Sequence, residues 1–87
     1  MAMSEHLLRT VAQDMALPRS AVRVLFVVHE ELIEGEWRPV KVFWVVQRSG
    51  LSKPTAIAAL RLLCERGYLE RSETERQHHY RLGKGAP

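Results

Sequence analysis

Residues 52–67 mark out a helix with both ends written into the sequence. Ser52 is a good N-cap, because its hydroxyl can accept from the free amides of the first turn. Pro54 falls in that turn, where its missing N–H costs little. Thr55 stands where a capping box would carry Glu or Gln, so that box is half built. Gly67 supplies a left-handed stop, and Arg66 in the last turn suits the helix dipole. Ala56, Ala59, Leu60 and Leu63 sit at offsets 0, 3, 4 and 7, on one stripe. Two alanines there let a second helix come close. The opposite arc carries Pro54, Thr55, Ile57, Ala58, Arg61, Leu62 and Glu65.

The segments on either side complete a small set of parts. Arg48-Ser-Gly-Leu51 reads as a tight turn, with Gly50 able to take positive φ. Before it, residues 40–47 are expected to be helical in spite of their β-branched content. After Gly67, residues 68–73 and 78–82 should pair as a hairpin around 74–77. Near the N-terminus, residues 4–15 read as an amphipathic helix capped by Ser4, with Leu7, Leu8, Val11 and Met15 on one face. Leu17-Pro18-Arg19 breaks it, and Ser20 can cap a second helix over 21–33. The run Val24-Leu-Phe-Val-Val28 alone could be a strand. Its length, and Val22, Leu25, His29, Leu32 and Ile33 at helical spacing, favour the helix, which Gly35 ends. Glu36-Trp37-Arg38-Pro39 is a short extended piece.

Ser52-Lys-Pro-Thr-Ala-Ile-Ala-Ala-Leu-Arg-Leu-Leu-Cys-Glu-Arg-Gly-Tyr-Leu-Glu-Arg71 resembles the recognition helix and first wing strand of winged helix-turn-helix regulators. It is closest to the gluconate-repressor (GntR) pattern. Thr74-Glu-Arg-Gln-His-His-Tyr-Arg-Leu82 is similar to the wing of the MarR and ArsR families, which carry an Asp-x-Arg before a strand ending in Leu. The resemblance covers the second half of the chain well, and residues 19–47 only by order of elements. It implies that Arg76 takes the place of the wing arginine inserted in the minor groove, and that Lys53 and Thr55 face DNA. The chain departs from the pattern at Ile57, where the GntR pattern has a base-reading arginine, and at Thr74, which replaces the wing Asp. The expected fold is α+β: a winged helix-turn-helix with a three-helix core and a small β-hairpin wing, plus an extra N-terminal helix.

With 87 residues, 46% hydrophobic and 26% charged, the chain suits one small globular domain. Residues 1–17 would be the N-terminal helix, 18–82 the winged helix domain and 83–87 a disordered tail. The net charge of +3 is permissive for nucleic acid. Its distribution says more. Lys41, Arg48, Lys53, Arg61, Arg71, Arg76 and Arg81 fall in the recognition half, whereas Glu30, Glu31, Glu34 and Glu36 cluster before it. The single cysteine, Cys64, excludes an internal disulfide and suits a reducing cytoplasm, where a DNA-binding chain would be nucleoid-associated. No apolar run approaches the ~20 residues of a membrane span, and no signal-peptide pattern opens the chain.

Several residues carry a choice. If Val42, Val45, Val46 and Ser49 face inward, as the family pattern implies, Phe43 and Trp44 point outward and would form a surface for a protein partner. The favoured expectation is a slight rotation that makes both core. The N-terminal helix either caps the core or dimerises through Leu7, Leu8, Val11 and Met15, and dimerisation is the expectation. His78 and His79, adjacent on a strand, point to opposite faces and cannot easily share an ion, and no Cys or carboxylate is spaced to complete a zinc site. No metal or other cofactor is expected, and Cys64 should pack quietly. Nor is catalysis, since there is no phosphate loop and no nucleophile–base pair with a pocket.

Together these features lead to a sequence-specific double-stranded DNA-binding protein, expected to be a small homodimeric transcriptional regulator without an effector domain. Lys53, Thr55 and Ala58 would lie over base edges, with Ile57 against a thymine methyl. Arg48 and Arg61 would clamp phosphates, joined by Ser52 through the helix N-terminus. Arg76, Gln77 and His78 would reach the minor groove. The alternatives are a plasmid or phage replication or segregation protein binding repeated sites, and a winged helix that docks on a protein through Ile57, Leu62 and Trp44.

Overall fold

The protein is described from a computed structural model covering residues 9, 13, 14, 17–29, 31, 32, 36–74 and 77–83, with backbone alone at 73, 74, 77 and 78. Among these residues there are three helices, α1 (Arg19–His29), α2 (Val42–Ser49) and α3 (Lys53–Glu65), and three strands, β1 (Arg38–Pro39), β2 (Leu69–Thr74) and β3 (Gln77–Leu82). The chain order is α1, β1, α2, α3, β2, β3. The strands form one antiparallel sheet in the order β1-β3-β2.

Helix α1 buries Ala21, Val24, Leu25 and Val28, at offsets 0, 3, 4 and 7. It begins two residues before the expected start. Pro18 rather than Ser20 precedes the helix, its carbonyl accepting from the amides of Ala21 at 3.0 Å and Val22 at 3.2 Å. It also stops short of residue 33. The Glu31 amide donates to Val28 and that of Leu32 to His29, which tightens the chain into a turn and returns Leu32 to the core. The buried face centres on Val24 and Val28 rather than on Val22 and His29. With so many β-branched residues, burial rather than propensity holds this helix.

Helix α2 is displaced by two residues from the expected 40–47, because the left-handed stop lies at Gly50. There φ is 74° and the amide donates to Val46 at 2.9 Å. Arg48 and Ser49 thus belong to the last helical turn. Val40 is buried in extended backbone before the helix. Val45 and Ser49 are buried, with Val42 and Val46 partly so. Rotation does not bury both aromatics: Phe43 is 71% exposed, while Trp44 packs partly on the core.

Helix α3 follows its sequence signals closely. Ser52 caps it, and the buried residues are Ala56, Ala59, Leu60 and Leu63. At its end the Gly67 amide donates to Cys64 at 3.1 Å and the Tyr68 amide to Leu63 at 2.9 Å. With φ of 83° at Gly67, these bonds make a complete Schellman stop.

The hairpin register runs from Leu69 opposite Leu82 to Thr74 opposite Gln77, leaving positions 75 and 76 between the strands. Each strand extends a residue nearer the turn than expected. Pro39 sits on the edge strand, where a missing donor is tolerated. Tyr68, Leu69 and Tyr80 close the core beneath the sheet. Gly83 is tied in, its amide donating to Tyr68 at 2.8 Å, and a Cβ there would run into the Gly67 carbonyl. Arg9 and Gln13 have helical backbone. The expected seam of Leu7, Leu8, Val11 and Met15, the Ser4 cap, the Gly35 stop and residues 84–87 lie outside the described residues.

Candidate nucleic-acid interface

Cap and turn chemistry set the start of α3. The Ser52 hydroxyl oxygen accepts from the Thr55 amide at 3.3 Å and donates to Thr55 Oγ1 at 2.8 Å. Thr55 thereby closes a shortened version of the box that Glu or Gln would have closed. Ahead of it, the Leu51 amide donates to Ser49 Oγ at 3.2 Å, and Arg23 Nη1 donates to the Ser49 carbonyl at 3.0 Å. The helix–turn–helix corner is thus braced from α1, by an arginine that the sequence pattern did not single out.

The outer arc of α3 is open. Ser52, Lys53, Pro54, Thr55, Ala58 and Arg61 are exposed, and Ile57 is half-buried. Leu62 is partly buried against the core, as is Trp44. Of the expected apolar docking set of Ile57, Leu62 and Trp44, the last two are therefore partly used within the fold. What remains outward is short-chained at the helix start and cationic at Lys53 and Arg61.

Other cations divide into two kinds. Arg48 is exposed, with its guanidinium over the Trp44 ring at 5.3 Å from the centroid. Arg81 is engaged: its Nε donates to Glu70 at 2.7 Å, directly across the β2–β3 pair, and its guanidinium lies 4.4 Å from the Trp37 ring centroid. It adds little free charge to the second half of the chain. Arg76 lies outside the described residues, as do the side chains of Gln77 and His78, whose backbone belongs to β3.

Two further features leave no mark in the sequence pattern. Asp14 accepts from Arg66 Nη2 at 2.9 Å and from the Tyr68 hydroxyl at 2.6 Å, fastening the N-terminal segment to the end of α3. Burial, then the hydrogen bond and charge of Asp14, push the Tyr68 phenol up to about 12. An open groove of about 720 Å³ is lined by Trp37, Pro39, Val40 and Trp44, with Glu31, Arg38 and Lys41. Cys64 is half-buried against the core, and burial raises its thiol pKa, which disfavours a reactive thiolate. No helix among the described residues is long and apolar enough to cross a membrane. Comparison with protein-family models, with curated proteins and with solved structures finds no match.

Proposed function

We propose that this chain is a winged helix-turn-helix protein that binds duplex DNA sequence-specifically, acting as a small homodimeric regulator. The observation that carries the reading is the exposed, short-chained, cationic arc at the start of α3, standing on a corner braced by Gly50, Ser49 and Arg23. A helix presented this way can enter a major groove end first. Lys53, Thr55 and Ala58 would meet base edges, and Ile57 a thymine methyl. Arg48 and Arg61 would hold phosphates on either side, with Ser52 at the helix N-terminus. The β2–β3 hairpin is the wing, and Arg76, Gln77 and His78 at its end would follow the minor groove. Leu7, Leu8, Val11 and Met15 would form the dimer seam.

Selection of bound sequences from a random duplex pool tests this. Enriched inverted repeats are expected from a twofold dimer; direct-repeat arrays would favour a replication or segregation role. A second reading, docking on a protein partner, draws on the 71% exposure of Phe43 and 40% exposure of Trp37. No sequence enrichment would favour that reading.

A further inference from the structure

We propose that Arg23 and Arg48 form a phosphate-binding cleft at the α2–α3 corner, a second anchor for the nucleic-acid backbone beside α3. The inference rests on the DNA-binding reading above. Arg23 lies on α1, and no local pattern sets it apart from Arg19. In the fold its Nη1 reaches the Ser49 carbonyl at 3.0 Å, which brings it to the last turn of α2. Arg48 precedes Ser49, and its guanidinium lies 5.3 Å from the Trp44 ring centroid. Both arginines are exposed and line one open concavity of about 570 Å³ with Phe26, Val27 and Ser49. Among the described residues lining it there is no carboxylate.

This chemistry suits a phosphodiester. A guanidinium held beside an aromatic ring keeps its charge, and the ring accepts no hydrogen bond from its in-line N–H donors, so these can turn to a phosphate oxygen. Arg23 is held through one nitrogen, which leaves the rest of its fork for a second acceptor. Two like charges beside one cavity raise the local positive potential, and an anion between them is attracted by both. The cleft adjoins the turn through Gly50 and Leu51 that leads to Ser52. A duplex holding the start of α3 in its major groove would run its backbone along this side.

The test is the salt dependence of binding to a mixed-sequence duplex, comparing the full chain with Arg23→Gln, Arg48→Gln and the control Arg19→Gln. Thermal unfolding is followed alongside. Arg23→Gln and Arg48→Gln should each weaken binding several-fold on every duplex and lower the salt slope by about one unit, as loss of one phosphate contact does. Arg19→Gln should leave the slope unchanged. Arg23→Lys keeps the charge and should keep the slope, so it reports on the cleft even if Arg23→Gln lowers the melting temperature. An unchanged slope in Arg23→Gln, on a duplex where Arg61→Ala does weaken binding, would overturn the cleft and leave α3 as the docking element. No duplex binding by the wild type at low salt would overturn both.

Discussion

Asp14 and Tyr68 lie 54 positions apart and meet at 2.6 Å, the Tyr68 hydroxyl donating to Asp14 Oδ2. Arg66 completes the cluster by pairing with the same carboxylate at 2.9 Å. Tyr68 is fully buried, so the bond closes the base of the domain around the end of α3.

Removing that hydroxyl should be costly. Tyr68→Phe takes a partner from a nearly buried carboxylate, and the loss should be about 1–3 kcal/mol. Urea unfolding measures it, and a change within error would mean that Asp14 is satisfied without the Tyr68 hydroxyl.

The same residue gives a pH signature. Tyr68 in the fold ionises at about 12, against ~10 for an unfolded tyrosine. Its folded-state pKa is raised, so the neutral phenol contributes stability that is fully present below about pH 10 and is lost as pH rises through about 12. Thermal melts across this alkaline window should fall less steeply for Tyr68→Phe than for wild type. Parallel curves would show that Tyr68 is not the group responsible.

Gly50 offers a separate check on the corner. A Cβ there meets nothing within 4 Å, so only its φ of 74° resists substitution. Gly50→Ala should cost about 1–2 kcal/mol and Gly50→Asn less, since Asn enters the left-handed region more readily. Equal losses in denaturant titrations would point to a steric role instead.

Ile57 separates DNA from a protein partner. Against a thymine methyl, Ile57→Ala should cost roughly 1 kcal/mol and relax preference at one base position. Ile57→Arg should tighten non-specific binding and shift preference toward guanine. In a protein interface built on this face of α3, the same arginine would bury an unpaired charge and abolish the complex. Loss of all DNA binding by Ile57→Arg, with circular dichroism unchanged, would remove this face from the groove.

The dimer seam is testable by mass. Leu8→Glu should turn a sedimenting dimer into a monomer and weaken operator binding through lost bivalency. A wild type that sediments as a monomer at micromolar concentration and above would remove the seam.

How much of this was legible followed the range of the interactions. The limits and buried stripe of α3 were legible because Ser52, Pro54 and Gly67 act within a turn of their own positions. The outer arc followed from the same periodicity, except that Leu62, at the stripe's border, turned inward. The limits of α1 are not legible in the sequence because the Pro18 carbonyl and the buried return of Leu32 set them, and neither is a local capping signal. For α2, Gly50 marks a stop in the sequence, but the turn signal at residues 48–51 does not show that the helix continues through Arg48 and Ser49 to reach it. Phe43 and Trp44 parted company because neighbouring helical positions differ by about a hundred degrees, close to the edge of a buried stripe. Asp14 with Tyr68, and Arg23 with Ser49, join distant segments and leave no mark in the local pattern.

The central claim is that the outer arc of α3 meets duplex DNA. Its most direct measurement is anisotropy titration of a labelled selected duplex at several salt concentrations, for wild type and for Lys53→Ala/Thr55→Ala/Arg61→Ala. The wild type should bind with affinity falling steeply as salt rises. The triple variant, with its helix intact by circular dichroism, should lose sequence preference with Lys53 and Thr55 and about one unit of slope with Arg61. Equal affinity and slope for the two proteins, or no binding by the wild type at low salt, would contradict it.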